Sequence, residues 1–352
     1  MENILHHDLD HVLEHTAHLW ADVRGERFFL TGGTGFVGTW LMESLLWANQ
    51  RLGLRISAVV LTRTPEAFRA RAPHLADDPA VSLLRGDVRR FEYPAGRFSH
   101  VIHAASDATP DSCRQQPLLV MDTIVAGTRR VLDFAVTAGA RRLLLTSSGA
   151  VYGPQPPEVT HLPETFAGAP GLSAPAAVYG EAKRMAELLC ALYQQAHPLD
   201  CLIARGFTFV GPGMPLDAHF AIGNFVNDCL HGRPIEVRGD GTPYRSYLYA
   251  ADLAVWLWTI LLKGESGRPY NVGSEQAVSI AETARAVAAA LESSQPVHIA
   301  GTPAPGAPAQ RYVPSTERAR TELGLREWIP FEEAVRRTAA AVLLPAQSGG
   351  RS

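Results

Sequence analysis

The chain reads Phe28-Phe29-Leu30-Thr31-Gly32-Gly33-Thr34-Gly35-Phe36-Val37-Gly38 close to its beginning. An apolar run of strand type, Arg27–Thr31, precedes the glycines, and apolar residues at helical spacing follow over residues 39–50. A glycine-rich turn between a strand and a helix is the arrangement that holds the diphosphate of a dinucleotide. Gly33 and Gly35 let the backbone turn and approach the diphosphate, while Gly38 lets the helix pack on the strand. We therefore expect a dinucleotide to contact Gly32, Gly33, Thr34, Gly35, Phe36, Val37 and Gly38.

The end of the next predicted strand, residues 56–61, bears on which dinucleotide is bound. An NAD site commonly carries an acid there, which accepts hydrogen bonds from the ribose hydroxyls. This chain has Thr62-Arg63-Thr64 instead, and the Arg63 guanidinium suits a ribose 2′-phosphate. The residues favour NADP (as NADPH), whereas NAD stays possible because Glu66 is close by and Arg63 could be a solvated surface residue.

Two further strand ends are expected to contact the cofactor. A predicted strand over residues 81–85 runs into Asp87 and Val88, and Asp87 could meet the adenine amino group or serve as a plain turn residue. A buried strand over residues 100–103 ends in Ala104, Ala105 and Ser106, whose small side chains would let the cofactor lie across the strand end.

A tyrosine and a lysine one helical turn apart supply the candidate proton-transfer group. Tyr179 and Lys183 lie four residues apart in a predicted helix and so share one face. A lysine ammonium, together with a cationic nicotinamide, should lower the phenol pKa towards neutrality, which suits a general acid or base. Ser148, at the end of a strand that begins at residue 142, would hold the substrate oxygen. We expect Tyr179, Lys183 and Ser148 to be catalytic, and Ser147, Tyr179 and Lys183 also to contact the cofactor.

Strand and helix patterns alternate as far as Arg205, which predicts an α/β fold with a Rossmann-type, doubly wound parallel sheet and a smaller C-terminal substrate-binding lobe. We divide the chain into a helical N-terminal extension (1–25), a dinucleotide-binding domain (26–205, with return segments near 246–272), a substrate lobe (206–245 and 273–345) and a tail (346–352).

The order of the motifs resembles the extended, sugar-nucleotide-modifying branch of the short-chain dehydrogenase/reductase family. The resemblance covers nearly the whole chain after residue 25. The motifs that carry it are Thr31 to Gly38, Gly86-Asp87, His103-Ala104-Ala105, Ser147 to Gly153, Tyr179-x-x-x-Lys183, Arg205 to Pro212, Gly239-Asp240-Gly241-x-x-x-Arg245, Tyr270 to Gly273 and Arg311-Tyr312.

The resemblance implies hydride transfer at carbon 4 of a nucleotide-linked hexose. In this branch 4,6-dehydratases carry Thr-Asp-Glu ahead of Val-Tyr-Gly and glucuronate decarboxylases keep the Glu, whereas this chain has Ser148-Gly149-Ala150. Since glycine and alanine cannot move a proton, dehydration and decarboxylation are disfavoured. We expect NADPH-dependent reduction of a nucleotide-linked 4-keto-6-deoxyhexose, with an NAD-dependent 4-epimerase as the alternative. A non-catalytic dinucleotide sensor and a reductase of non-sugar ketones fit the sequence less well.

The resemblance also implies the substrate contacts and the assembly. Arg245 and Arg311 match positions that grip the diphosphate, and Asn224 and Val237 fall in segments that pack on the base. Thr208 stands where the family usually has Asn, and the helix Asn usual near residues 123–124 is absent. Helices over residues 118–137 and 179–195 would form a four-helix bundle between two copies, that is, a homodimer.

Composition excludes several other classes. Hydrophobic residues make up 46% and charged residues 19% of the 352 residues, with a net charge of −3, so nothing points to nucleic acid or a membrane surface. Four cysteines without paired spacing predict reduced thiols and a cytoplasmic location. His7, His11 and His15 share a helix face near the N-terminus but lack a completing ligand pattern, so we expect no metal.

Overall fold

The computed structural model describes residues 4–106, 108–172, 177–218 and 220–343. Its centre is a parallel seven-stranded sheet in the order β11-β6-β5-β4-β1-β2-β3. The strands of this sheet are β1 (Arg27–Thr31), β2 (Ser57–Thr62), β3 (Val81–Arg85), β4 (His100–His103), β5 (Arg142–Ser148), β6 (Asp200–Gly206) and β11 (Pro269–Val272). Three small pairs complete the strands: β7 (Phe209–Val210) with β10 (Leu248–Tyr249), β8 (Ile235–Val237) with β13 (Val297–Ile299), and β9 (Tyr244–Arg245) with β12 (Val278–Ser279).

The α-helices of the described residues are α1 (Ile4–Thr16), α2 (Phe36–Leu52), α3 (Pro65–Arg71), α4 (Pro73–Ala76), α5 (Pro110–Gln115), α6 (Pro117–Thr137), α7 (Val178–Ala196), α8 (Ala221–Leu230), α9 (Ala250–Lys263), α10 (Ile280–Ala290), α11 (Glu317–Leu323) and α12 (Phe331–Leu343). Short 3₁₀ helices span Ala17–Val23 and Gly149–Tyr152. None of these helices is both long and apolar enough to cross a membrane.

Both faces of the central sheet are buried, because successive side chains of a strand point to opposite faces. In β1, Phe28 and Leu30 belong to the apolar core that contains α2 and α9, whereas Phe29 belongs to the core that contains α6 and α7. A parallel sheet with helices on both faces is doubly wound, so the predicted fold class is confirmed.

The N-terminal helix α1 packs on α9, and two of its histidines contact each other and residues of later segments. His11 Nε2 lies 2.8 Å from the buried carboxylate of Asp252, and the His15 ring stacks on Trp328 at 4.3 Å. Across the described residues, no group of three or more His, Cys, Asp or Glu side chains is arranged to hold a metal ion. The predicted tail, 346–352, lies outside those residues.

Candidate active site

The glycine turn after β1 lies against the end of β4. Gly32 has a left-handed backbone (φ 72°), and a Cβ there would lie 2.5 Å from the Ala104 carbonyl carbon. A Cβ at Gly38 would lie 2.1 Å from the Gly32 carbonyl oxygen, so the first turn of α2 contacts the glycine turn directly. We predicted that Gly33 and Gly35 make the sharp turn, but the left-handed residue is Gly32, while Gly35 is the N-cap of α2.

A cavity of about 620 Å³ opens above this turn. Many of the predicted cofactor contacts line it: Gly32, Thr34, Gly35, Arg63, Asp87, Val88, Ala104, Ala105 and Ser106. No side chain caps the N-terminus of α2, where Phe36, Val37 and Gly38 form the first turn, so its amide groups are available to an anion. Gly33 lies beneath, where a Cβ would meet the Val60 side chain at 2.6 Å. The turn and cavity therefore suit the diphosphate of a dinucleotide.

The strand end that selects the dinucleotide carries no acid in the cavity wall. At the end of β2 the lining residues are Thr62, Arg63 and Thr64. Glu66, the nearby acid because of which NAD stayed possible, forms an ion pair with Arg85.

Asp87 is held by a residue that sequence reasoning did not single out. Arg89 donates to it with Nε (2.9 Å) and Nη2 (2.7 Å). These bonds, with the Arg89 backbone N–H, lower the pKa of Asp87 to about 2. The carboxylate is therefore charged at neutral pH, and part of its accepting capacity is already used.

Three hydroxyl groups meet at Tyr179. The Tyr179 phenol is hydrogen-bonded to the side chains of Ser148 and Ser106, and Ser148 Oγ also accepts the Ala150 N–H at 3.1 Å. Burial raises the pKa of Tyr179 more than these hydrogen bonds lower it. This is the opposite of the lowering that we predicted, because in the protein alone desolvation of the phenolate is the largest effect on this pKa.

Lys183 is anchored by the strand that carries Ser148. Its ammonium donates to the Thr146 carbonyl oxygen at 2.7 Å and lies 5.8 Å from the centre of the Tyr179 ring. Burial lowers the pKa of Lys183 to about 8, against the opposing attraction of Glu187. The structure thus brings Ser148, Tyr179 and Lys183 together, and the helical spacing had predicted the proximity of Tyr179 and Lys183.

Glu187 is a further member of this group that sequence reasoning missed. Its Oε1 accepts the Ser147 hydroxyl at 2.5 Å, and its Oε2 accepts Arg205 Nη2 at 2.7 Å. Arg205 Nη1 in turn donates to the Tyr152 hydroxyl at 2.9 Å. Ser147, predicted to contact the cofactor, therefore directs its hydroxyl to Glu187. The helical spacing of Tyr179, Lys183 and Glu187 was a signal that could have found this residue.

The two predicted diphosphate ligands lie on neighbouring backbone segments. Arg245 ends β9, and Arg311 pairs with Tyr244 of the same strand in a bridge. Tyr312 follows, and its hydroxyl lies 3.4 Å from Ser148 Oγ. Although Tyr312 belongs to a quoted motif, its place in the site could not be seen from sequence, since the two residues are 164 positions apart.

The remaining three residues that we predicted to contact the substrate make contacts within the protein. The Thr208 carbonyl oxygen accepts the Leu248 N–H at 3.0 Å, and the Asn224 amide donates to the Ala218 carbonyl oxygen at 3.0 Å. Val237 is buried in the core beside β13. Contrary to our expectation, its side chain is therefore not presented to a ligand.

Such a site on a doubly wound sheet defines a class, the dinucleotide-dependent enzymes of the extended short-chain dehydrogenase/reductase type. A sequence model described as the NAD dependent epimerase/dehydratase family matches residues 28–273, and the chain belongs to that family.

Known proteins of related sequence or structure agree with this family assignment. The chain is 30% identical to UDP-glucuronic acid decarboxylase 5 of Arabidopsis thaliana, over 87% of this chain and 88% of that protein. A UDP-glucose 4-epimerase of Thermus thermophilus, in complex with NAD, superposes with a TM-score of 0.73 at 25% identity, covering 91% of this chain and 100% of that chain. The dTDP-glucose 4,6-dehydratase DesIV of Streptomyces venezuelae, with NAD bound, has a TM-score of 0.76 at 24% identity, covering 90% and 97%. At that identity the likeness to DesIV bears on the fold alone.

Proposed function

We propose that this protein uses NADPH to reduce the 4-keto group of a nucleoside-diphosphate-linked 4-keto-6-deoxyhexose in the cytoplasm. The observation that best supports NADPH-dependent reduction is the set of residues that line the cofactor cavity at the end of β2. There Arg63 stands between two threonines, and Glu66, the nearby acid, is paired with Arg85. A guanidinium in that wall can bind the 2′-phosphate that distinguishes NADPH from NADH.

The side chains around Ser148 support the following roles for the protein in the proposed reaction. NADPH, when bound, supplies the hydride. Tyr179 donates the proton to the carbonyl oxygen, Ser148 holds that oxygen, and Lys183, fixed on the Thr146 carbonyl, supports the charge that develops on Tyr179. Arg245 and Arg311 bind the diphosphate.

Decarboxylation, the activity named for the Arabidopsis relative, is disfavoured by the residues after Ser148. A side chain at position 149 would have to displace the Phe207 ring, since its Cβ would lie 2.7 Å from that ring, and Ala150 carries no acid or base. An NAD-dependent 4-epimerase remains the second candidate, because the family is NAD dependent and the Thermus relative is a 4-epimerase.

The first experiment identifies any dinucleotide that copurifies with the protein, then titrates NADH and NADPH into the stripped protein. We expect NADPH to bind at least about tenfold more tightly, as charge-assisted hydrogen bonds are worth roughly 1.5–3 kcal/mol. Arg63→Ala should abolish the preference. Arg69→Ala is the matched control, because Arg69 pairs with Asp77 and does not line the cavity. Tightly retained NAD without a preference for NADPH would contradict the reductase and favour the 4-epimerase.

The same titrated enzyme tests the catalytic assignment. With nucleoside-diphosphate 4-keto-6-deoxyhexoses of different bases, NADPH oxidation should fall about 10²–10⁴-fold in Tyr179→Phe at NADPH concentrations that saturate the variant. Oxidation at the wild-type rate by Tyr179→Phe would remove Tyr179 from the proposed reaction.

A homodimer completes the proposal. On α7, Met185, Leu188 and Leu192 are 45–51% exposed, and on the neighbouring α6 Leu118 is 80% exposed. An apolar stripe on two adjacent helices is suited to a second copy of the same chain. Sedimentation should give twice the 38.1 kDa chain mass, and a monomer at every concentration would refute the dimer.

A further inference from the structure

A chain of hydrogen-bonded side chains ties the end of β1 to the end of β4 beneath the cofactor cavity. Thr31 and His103 are paired neighbours in the sheet, and His103 Nδ1 lies 2.7 Å from Thr31 Oγ1. The other ring nitrogen, Nε2, lies 3.0 Å from Thr128 Oγ1 of α6. All three side chains are at most 2% exposed, so their polar atoms depend on partners within the protein.

The direction of each hydrogen bond in this chain follows from its two ends. The Thr128 hydroxyl donates its only proton to the Ile124 carbonyl oxygen at 2.6 Å, so towards His103 it can only accept. His103 is therefore protonated on Nε2, and its Nδ1 accepts the proton of the Thr31 hydroxyl. The Thr31 oxygen in turn accepts the Ala105 N–H at 3.2 Å. Burial lowers the pKa of His103 to about 3, so the ring is neutral at neutral pH and the directions are fixed.

One end of this chain lies at the crevice between β1 and β4. The sheet continues from β4 to β5, β6 and β11 on one side and from β1 to β2 and β3 on the other, so the strand order reverses between them. Ligands of open α/β sheets bind at such a point. Thr31, Gly32, Ala104 and Ala105 line the cofactor cavity here, and Gly32 lies directly against the Ala104 carbonyl group. The bond between Thr31 and the Ala105 N–H therefore sets how closely the two strand ends approach each other.

We propose that His103 is a positioning residue for the dinucleotide, whose Nδ1 holds the Thr31 hydroxyl in the orientation that keeps the crevice between β1 and β4 in its binding geometry. The bond from Nε2 to Thr128 anchors the ring on α6, and the bond at Nδ1 acts on the cavity through Thr31. This role rests on dinucleotide binding in the cavity and goes beyond the proposed reduction, because it is the same for a reductase and for an epimerase.

Two substitutions of His103 separate its two hydrogen bonds. The carboxamide of asparagine ends near the position of Nδ1, so His103→Asn keeps an acceptor for Thr31, whereas that of glutamine reaches the position of Nε2, so His103→Gln keeps a donor for Thr128. Calorimetry measures the affinity of each folded variant for NADH and NADPH. We expect the affinity to fall about tenfold in His103→Gln, the upper range for one hydrogen bond, and to stay within about twofold of the wild type in His103→Asn. Both variants lose the ring and one of its bonds, so a purely structural role would affect the two affinities equally.

A further variant tests the same bond from its other end. Thr31→Val keeps the shape of the side chain without the hydroxyl, so it should lose as much affinity as His103→Gln. The matched controls are His100→Asn and His100→Gln, which should bind both dinucleotides as the wild type does. His100 is buried in the same strand, but its Nδ1 lies 2.9 Å from Ser99 Oγ and its ring stacks on Phe28.

Equal affinities of His103→Asn and His103→Gln would overturn the role of His103, as would wild-type affinity in Thr31→Val. If these affinities follow the expectation while NADPH is not preferred over NADH, the reductase function fails and the role of His103 stands.

Discussion

Glu187 joins the helix of Tyr179 and Lys183 to the strand end that carries the serines. Its carboxylate accepts the Ser147 hydroxyl and the Arg205 guanidinium, with both charged side chains only 12–14% exposed. Both charges are largely withdrawn from water, so separating the pair would leave two buried charges without partners. The pair therefore keeps its geometry. Glu187 therefore joins α7 to the end of β5.

Replacement of Glu187 should destabilise the protein strongly. Glu187→Ala leaves the Arg205 charge without its partner, which costs about 3–5 kcal/mol of unfolding free energy in buried pairs. Urea unfolding measures the change. Asp77→Ala, which removes the partner of Arg69 in a pair whose side chains are at least half exposed, should cost less than about 1 kcal/mol. If Glu187→Ala lowers the free energy of unfolding no more than Asp77→Ala does, Glu187 is not structurally important.

Among the elements, α1 and the 3₁₀ helix after it are built into the body of the protein. Asp8 is fully buried and accepts the Tyr249 hydroxyl at 2.5 Å and Arg337 at 2.6 Å. Trp20, also fully buried, lies 4.9 Å from Trp258 of α9 between ring centres. The helical N-terminal extension that the sequence predicted is therefore packed against the body of the protein.

Removal of residues 1–23 should therefore prevent stable folding. Each large apolar side chain that becomes exposed lowers the free energy of unfolding by about 1.5–3 kcal/mol. Several side chains would become exposed, whereas the total free energy of unfolding of a typical domain is only about 5–15 kcal/mol. The readout is soluble yield and resistance to proteolysis. Asp8→Ala, a milder change, should lose about 3 kcal/mol, whereas His18→Ala at an exposed position should stay within about 0.5 kcal/mol. A truncated protein with wild-type stability would refute the structural role of α1.

At the scale of the whole molecule, two buried histidines of β4 make stability depend on pH. Burial lowers the pKa of His100 to about 4 and that of His103 to about 3, from an ordinary 6.5. Below about pH 6.5 the unfolded chain binds protons that the folded protein does not. Stability is therefore fully present above that pH and falls as pH drops, by about 1.4 kcal/mol per pH unit for each histidine.

Urea midpoints between about pH 7.5 and about pH 5 measure this dependence. His100→Phe should reduce the slope by about half, because it removes one of the two buried histidines. A midpoint that stays constant across this interval would contradict the burial of neutral histidines in β4.

The sequence predicted the parts of the molecule that depend on local pattern. The bounds predicted for β1, β3 and β4 match the structure, because apolar runs between turn residues mark buried strands. Contacts between distant segments were not predictable: Ser148 with Tyr312, Tyr249 with Asp8, and Gly149 with Phe207 all depend on how the chain returns to the sheet. The pKa of Tyr179 was predicted in the wrong direction for a related reason, since desolvation reflects everything packed around a group.

The crowding at Gly149 also limits how this enzyme could acquire a different chemistry. Gly149→Asp alone would force a carboxylate into the Tyr312 hydroxyl and the Phe207 ring. An acid at that position fits more easily after residue 312 or 207 has become smaller, so the order of the substitutions matters. Position 149 is therefore epistatic with positions 207 and 312, and a lineage that gains an acid at position 149 is expected to pass through an intermediate with a smaller residue at one of the other two.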